Sequence, residues 1–195
     1  MNKLKDKKIV LISTGQPSTN PRLIKEAISL YNAEANVTIL YSYWASWADK
    51  PDDDLKKQYP NITWKRIGGH PEKETWKYLY SRFSNKLSNV LYSITLIDFF
   101  KINSLSRTSL SLIKHARLIK ADLYIAHNLG ALPAAVKAAQ KYNTTASIDF
   151  EDYYRGQWRI NSREYKLYKA IEDKYLPKIS FSTAASALIA KSYNE

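Results

Sequence analysis

The stretch Ala121-Asp-Leu-Tyr-Ile-Ala-His-Asn-Leu-Gly-Ala-Leu-Pro-Ala-Ala135 decides the fold of this chain. Its apolar run at 123–126 has the length of a buried strand, and His127 and Asn128 follow directly. Small residues around Gly130 and Pro133 then open a helix. In open α/β sheets, ligands bind at the edge where strands pass into helices. We therefore expect a titratable imidazole and an amide at a ligand-binding edge.

Five further apolar runs of strand length lie on either side of this stretch. The predicted strands are residues 8–14, 36–41, 62–67, 123–126, 145–150 and 179–183. Segments 42–61 and 15–20 have the polar composition of connections. Helical spacing of apolar residues predicts helices at 21–34, at 76–100, after Ser104 or Ser106 with Leu118 facing inward, from Gly130 to about 142, from Ser162 to just before Pro177, and after Ser186.

This order of elements predicts a Rossmann-like, doubly wound α/β fold, in which helices cover both faces of a mainly parallel sheet. The length of 195 residues suits a single domain, residues 1–195. The sequence ends just after the sixth predicted strand, inside the start of another helix, so we interpret it as part of a longer protein. The apolar run at 9–12 is far too short for a signal peptide or a membrane span.

The composition excludes disulfides and thiolate metal sites, because the chain has no cysteine. Its net charge of +12 is uneven, since residues 73–120 hold nine Lys or Arg but only two acids, Glu74 and Asp98. Nucleic acid, anionic lipid and a phosphorylated small molecule would all favour such a surface. A solubilising helical face is an equally good interpretation of the charge.

The helix predicted at 76–100 combines aromatic and basic residues, and two interpretations are open. It is either an amphipathic helix that covers the sheet, which we favour, or an element that lies on a membrane surface. The aromatic residues follow the apolar period and should therefore point inward. For that reason nucleic acid, which would need exposed aromatics for stacking, is not an expected partner.

The strand order also predicts which residues meet. In a doubly wound sheet the switch point lies between the first and fourth strands, so the loop at 13–20 should face His127 and Asn128 across one crevice. The fifth strand adds carboxylates beside them. The candidate site residues are Gly15, Gln16, Asn20, Arg22, His127, Asn128, Asp149 and Glu151.

Each of these candidates has a structural alternative. For His127 the alternative is a histidine that ties down a neighbouring loop by hydrogen bonds, and for Asp149 it is a helix cap or a loop anchor. Arg155 either pairs with Glu151 or binds phosphate.

Several familiar site motifs are missing from the sequence. Gly15 lacks the partners of a G-x-G-x-x-G loop and the second strand does not end in an acid, which argues against a dinucleotide cofactor. P-loop and G-x-S-x-G motifs do not occur either. The three histidines, His70, His115 and His127, lack the spacing of metal ligands, so no metal is predicted.

Four stretches carry a resemblance to a known family. They are Ser18-Thr-Asn-Pro-Arg-Leu-Ile-Lys-Glu-Ala27, the opening stretch at 121–135, Phe150-Glu-Asp-Tyr153, and Tyr175-Leu-Pro177 with Ser182-Thr-Ala-Ala-Ser186. Through them the chain resembles the N-terminal domain of the GT-B-fold glycosyltransferases often called family four. The first loop, Gly15-Gln16-Pro17, lacks the paired glycines that are common in that family.

The resemblance implies two Rossmann-like domains that face each other across a cleft. The first would hold a glycan or lipid-linked acceptor, and the second, absent from this chain, would hold a nucleotide-sugar donor. Transfer would proceed with retention and without a metal or another cofactor. His127 matches the active-site histidine that contacts the transferred sugar, and Asn128 and Glu151 become candidates for acceptor contact.

The resemblance also implies how the chain behaves in the cell. The isolated chain should be inactive, and the protein should be cytoplasmic, either free or peripheral at the inner face of an anionic membrane. The main alternative is a non-enzymatic Rossmann-like module that binds an anionic or phosphorylated ligand.

Overall fold

The computed structural model describes residues 3–92, 94 and 97–194. Its strands are β1 (Lys8–Ser13), β2 (Asn36–Ser42), β3 (Thr63–Ile67), β4 (Leu123–His127), β5 (Thr145–Phe150) and β6 (Phe181–Ala184). They form one parallel sheet in the order β3-β2-β1-β4-β5-β6. The chain therefore changes direction across the sheet between β1 and β4, which confirms the predicted doubly wound fold.

Eight helices belong to the described part of the chain. They are α1 (Pro21–Asn32), α2 (Asp49–Gln58), α3 (Thr75–Leu91), α4 (Asp98–Leu105), α5 (Ser109–Ala116), α6 (Leu132–Tyr142), α7 (Arg163–Tyr175) and α8 (Ala187–Asn194). None of them combines the length and the apolar character needed to cross a bilayer.

The core has two parts because successive side chains of a strand point to opposite faces of the sheet. On one face, Ile9, Leu11 and Ile39 pack against Leu23 and Ala27 of α1. On the other face, the alternate residues of the same strands join a larger cluster with α4, α5, α6 and α7. Helices thus cover both faces, and the carboxyl ends of the strands all lie at one edge.

The helix α1 begins as its sequence predicts. Pro21 occupies the first helical position, and the Oδ1 of Asn20 accepts a hydrogen bond from the backbone N–H of Leu23 at 3.0 Å. This cap fixes the direction in which α1 leaves the first loop. As a result, the residues of its first two turns lie beside the carboxyl edge of the sheet.

The polar connection after β2 contains a helix, α2, that the sequence analysis missed. Leu55 is its only large aliphatic residue, so it shows no apolar stripe to detect. The helix is held instead by the buried carboxylate of Asp52, which accepts hydrogen bonds from Gln16 Nε2 at 3.2 Å and from Ser18 N at 2.9 Å. Its acidic first turn and basic last turn also suit the helix dipole.

The long helix predicted at 76–100 is wrong in its extent. The structure has two helices, because α3 ends at Leu91 and α4 begins at Asp98; residues 93, 95 and 96 lie outside the described part. The next helix, α5, begins at Ser109, so neither Ser104 nor Ser106 is its N-cap residue. Leu118, expected to face inward, is 69% exposed in the turn after α5.

The predicted orientation of α3 is also wrong. Its apolar residues, among them Trp76, Tyr80 and Phe83, are exposed instead of covering the sheet. The physical reason is that its serine and asparagine side chains make hydrogen bonds with the rest of the protein and turn the polar face inward. The periodicity identified the helix but not the face that packs.

Candidate functional site

A row of four polar residues crosses the sheet at its carboxyl edge. Ser13, His127, Asp149 and Thr183 are register partners on β1, β4, β5 and β6. Register partners in a parallel sheet point to the same face, which here is the face that α1 covers. The fold therefore gathers these side chains under the first turns of α1, at the predicted switch point.

His127 lies at the centre of this row and is buried, with 1% of its surface exposed. Its Nε2 atom is 2.7 Å from Oε2 of Glu26 on α1. Its Nδ1 atom lies 3.5 Å from Oε1 of Glu151 and 3.8 Å from Oδ2 of Asp149. Among the described residues Nδ1 has no hydrogen-bond partner, although two carboxylates surround it.

These carboxylates decide the charge of the imidazole. Burial alone lowers the pKa of His127, but Glu151, Glu26 and Asp149 outweigh it and raise that pKa to about 9. At neutral pH the ring is therefore an imidazolium with a hydrogen on each nitrogen. In that state it can donate a hydrogen bond and hold negative charge nearby.

Asp149 is bound to a second cation. Nε of Arg22 donates to its Oδ2 at 2.6 Å, Nη2 of Arg22 donates to its Oδ1, and Oγ1 of Thr183 donates to Oδ1 at 2.6 Å. Burial raises the pKa of Asp149, but the hydrogen bonds from Arg22 and Thr183 and the charges of Arg22 and His127 outweigh it and lower that pKa below its ordinary value. The carboxylate thus stays ionised and balances the charge of the imidazolium.

Asn20 links the cap of α1 to this network. While its Oδ1 caps the helix, its Nδ2 donates a short hydrogen bond to Oε1 of Glu151. The side chain of Glu151 remains 23% exposed. Glu151 is therefore the carboxylate that connects the buried imidazolium to the solvent-facing side of the site.

Asn128 joins the loop after β4 to the loop after β1. Its Oδ1 accepts from Oγ1 of Thr14 at 3.1 Å, and its backbone has a φ of +100°. The two loops approach so closely that a Cβ atom added at Gly130 would lie 2.8 Å from Cγ2 of Thr14. A glycine is needed here because any side chain would push these loops apart.

Gln16 lies in the predicted place, but its amide is fully used inside the loop. Its Nε2 donates to Asp49 and Asp52, and its Oε1 accepts from the backbone N–H groups of Trp44 and Ala45 at 2.9 and 2.8 Å. The side chain anchors the first loop to α2, and the residue is fully buried, so Gln16 supports the loop and is not placed to meet a ligand. Gly15 is in ordinary van der Waals surroundings, where a Cβ atom would be tolerated 3.5 Å from Thr19.

Glu26 and Thr183 also belong to this site, although neither was predicted from the sequence. A signal for Glu26 was present, since it lies four residues after Arg22 and so on the same face of α1. Thr183 could have been found from the strand register with Asp149. The proposed pair of Arg155 with Glu151 is wrong, because Arg155 Nε lies 3.3 Å from Oε2 of the buried Glu172.

A metal ion would have to compete with the side chains already present. His127, Asp149 and Glu151 each offer one ligand atom, and these three atoms lie within 4.8 Å of one another. However, Arg22 binds both oxygens of Asp149 and already supplies a positive charge. We therefore assign these three residues to the hydrogen-bond network and not to a metal.

A cleft of about 340 Å³ opens beside Thr14 on the other side of the first loop. Arg107 supports its wall through hydrogen bonds at 2.8 Å to the carbonyl groups of Gly68 and Tyr43. Exposed basic and aromatic side chains complete the wall, including Trp44, Arg82 and Lys86. Such a lining suits an anionic group such as phosphate.

Comparison with known proteins places the fold in context. No family model matches this chain, and no curated protein matches its sequence. Among solved structures, TcCGT1 in complex with UDP has a TM-score of 0.62 at 9% identity, over 98% of this chain and 48% of that one. UGT89C1 from Arabidopsis thaliana, complexed with UDP, has a TM-score of 0.51 at 13% identity, over 96% and 47%.

Both of these proteins are GT-B glycosyltransferases. This chain spans about half the length of each of them. At such low identity the likeness establishes the fold alone: the six-stranded parallel sheet is a Rossmann-like domain of the kind found as one half of a GT-B architecture.

Proposed function

We propose that this chain is the acceptor-side half of a glycosyltransferase. The enzyme would move a sugar from a nucleotide-sugar donor to a glycan or lipid-linked acceptor, with retention and without a metal. The observation that carries the proposal is the buried imidazolium of His127, surrounded by three carboxylates at the switch point. Its support is a fold shared with two glycosyltransferases whose structures contain UDP.

The geometry divides the work between two residues. Glu151 is partly exposed, so its carboxylate is the group that would accept a hydrogen bond from a sugar hydroxyl. His127 lies behind it, with Nδ1 3.5 Å from Oε1 of Glu151, and would hold that carboxylate in position. For His127 itself to contact the transferred sugar, as the family resemblance implies, the side chain of Glu151 would first have to turn away from Nδ1.

The donor half is proposed to lie outside these 195 residues. The chain covers about half of the UDP-bound proteins, and Arg22, the cation in this network, is engaged by Asp149. Charge on the departing nucleoside diphosphate would therefore be stabilised chiefly by the second domain. A position at the inner face of the membrane fits a lipid-linked acceptor.

The test is a donor screen on two forms of the protein. One form is the chain of 195 residues, and the other continues through the residues that follow Glu195 in its gene. We expect release of nucleoside diphosphate from one class of nucleotide sugar by the longer form only. Turnover by the short form would contradict the proposed division, and binding of nucleotide without any transfer by the longer form would favour a non-enzymatic binding module.

A further inference from the structure

The helix α3 is packed with its polar face inward. Asn103 of α4 donates from Nδ2 to Oγ of Ser84 at 2.8 Å and to Oγ of Ser88 at 2.9 Å, and Asn85 donates to the carbonyl group of Asn103. Ser81, which accepts from Arg107, is buried as well. These hydrogen bonds, together with the contact between the rings of Tyr78 and Tyr43, hold this helix on the protein.

The opposite face of α3 is apolar and exposed. Six side chains, with exposed fractions from 46% to 85%, lie on it: Trp76, Leu79, Tyr80, Phe83, Leu87 and Val90. At 3.6 residues per turn they share an arc of about 100°. We call these six residues the α3 face. A continuous apolar surface of this kind is unusual on a soluble protein and indicates a binding partner.

Positive charge borders the α3 face. Lys73, Lys77, Arg82 and Lys86 are all exposed along the same helix or just before it. Two acids lie in the same segment: Glu74, which is paired with Lys77 at 2.7 Å, and the exposed Glu72. An apolar stripe with aromatic residues and flanking cations is the pattern of helices that lie in the headgroup region of a bilayer.

We propose that the α3 face docks on the surface of an anionic lipid bilayer, with the helix lying in the plane of the membrane. A second copy of the chain is a poorer partner, because the flanking cations of two copies would repel each other. Nucleic acid also fits less well, since the aliphatic side chains of Leu79, Leu87 and Val90 cannot stack on bases. The long stems of Lys and Arg let the charged groups reach lipid phosphates while the stripe enters the bilayer.

Docking would also orient the cleft beside the first loop. Arg82 and Lys86 line that cleft together with Thr14, so a bound membrane would lie next to it. A lipid-linked acceptor could then place its phosphate between these cations without leaving the bilayer. This last step rests on the proposed function, whereas the docking itself does not.

The test is flotation of the chain with two kinds of vesicle: phosphatidylcholine alone, and an equal mixture of phosphatidylcholine and phosphatidylglycerol. We expect binding to the mixed vesicles that weakens as salt is added. The double variant Trp76→Ala, Phe83→Ala should bind at least about tenfold more weakly, because it removes two exposed aromatic side chains from the stripe. Arg82→Gln with Lys86→Gln should reduce the preference for phosphatidylglycerol.

Matched controls distinguish binding through the α3 face from non-specific hydrophobic or electrostatic binding elsewhere on the surface. Ile160→Ala with Leu188→Ala removes two apolar residues that are 75% and 77% exposed elsewhere, and Lys25→Gln with Lys57→Gln removes two cations from α1 and α2. The Ile160–Leu188 variant should change vesicle binding by less than twofold. The Lys25–Lys57 variant should reduce the preference for phosphatidylglycerol by less than the Arg82–Lys86 variant does.

Three results would overturn the inference. The first is that the chain does not bind the mixed vesicles. The second is that the Ile160–Leu188 variant loses as much vesicle binding as the Trp76–Phe83 variant. The third is that the Trp76–Phe83 variant abolishes a dimer or an RNA complex but binds vesicles as well as the wild type. Since vesicles contain neither donor nor acceptor, a failure here says nothing about transferase activity. An inactive enzyme, conversely, would leave this inference intact.

Discussion

Nε2 of His127 lies 2.7 Å from Oε2 of Glu26, a residue 101 positions earlier in the chain. The contact joins the end of β4 to the second turn of α1. It also makes Glu26 one of the groups that keep a buried imidazole charged.

Replacement of Glu26 by Gln should lower the pKa of His127 by roughly one to two units, because it removes a charge and a charge-assisted hydrogen bond. The measurement is an NMR titration of the imidazole ring protons. Asp53→Asn, which removes an exposed carboxylate paired with Lys56, is the matched control and should leave the His127 titration in place. An unchanged His127 pKa in the Glu26 variant would contradict the assignment.

The stability of the protein should fall as the pH rises from about 6.5 to about 9. The folded pKa of His127 is raised above its ordinary value of 6.5, so its contribution is complete below that value and is lost as the pH passes through about 9. A difference of that size corresponds to roughly 3 kcal/mol for a buried group. Urea unfolding at a series of pH values measures it.

The control for this pH dependence is His127→Gln, which lacks the titrating ring. Its unfolding free energy should change much less over the same pH range than that of the wild type. An equal decline in the wild type and the variant would assign the effect to other groups.

Gly130→Ala should destabilise the protein by about 1 to 3 kcal/mol, because the added methyl group would overlap Cγ2 of Thr14 at 2.8 Å. Thr14→Ser removes that methyl group but keeps the hydroxyl that donates to Asn128. The double variant should therefore recover much of the loss. Gly15→Ala, with room for a Cβ atom, is the control, and a loss as large as that of Gly130→Ala would refute the argument.

The sequence predicted the sheet well because each strand is a short apolar run that ends in polar residues. The positions of Ser13, His127 and Asp149 followed from strand order alone, and the structure confirms that they share one edge. Element ends differ by one or two residues. The hydrogen-bonding partner Glu26 was missed because periodicity assigns a residue to a helix face but not to a particular partner.

The two larger errors have a common cause. The helix α2 lacks an apolar stripe, and α3 has one that points away from the protein. Both helices are held mainly by buried polar groups, Asp52 in one case and Asn103 in the other. Apolar periodicity cannot reveal such contacts, because it measures only the part of helix packing that burial of apolar surface provides.

The last prediction concerns how His127 and Glu151 act in catalysis. In the proposed longer form of the protein, Glu151→Gln should lower kcat/KM by about 10- to 100-fold, because it would weaken the proposed charge-assisted hydrogen bond to a substrate hydroxyl. If His127 acts through Glu151, His127→Gln should cost a similar amount. The double variant should then be little worse than either single variant, since both changes disable the same unit.

A double-mutant cycle on kcat/KM provides the measurement, with urea unfolding of each variant to confirm that the fold is kept. Arg155→Gln is the matched control, because Arg155 pairs with Glu172 outside this network and should leave kcat/KM nearly unchanged. Fully additive losses would mean that His127 contacts substrate independently of Glu151. If Glu151→Gln kept full activity while His127→Gln lost most of it, the residue that contacts the substrate would be His127. In that case the side chain of Glu151 would have to rotate away, so that Nδ1 of His127 could reach the sugar.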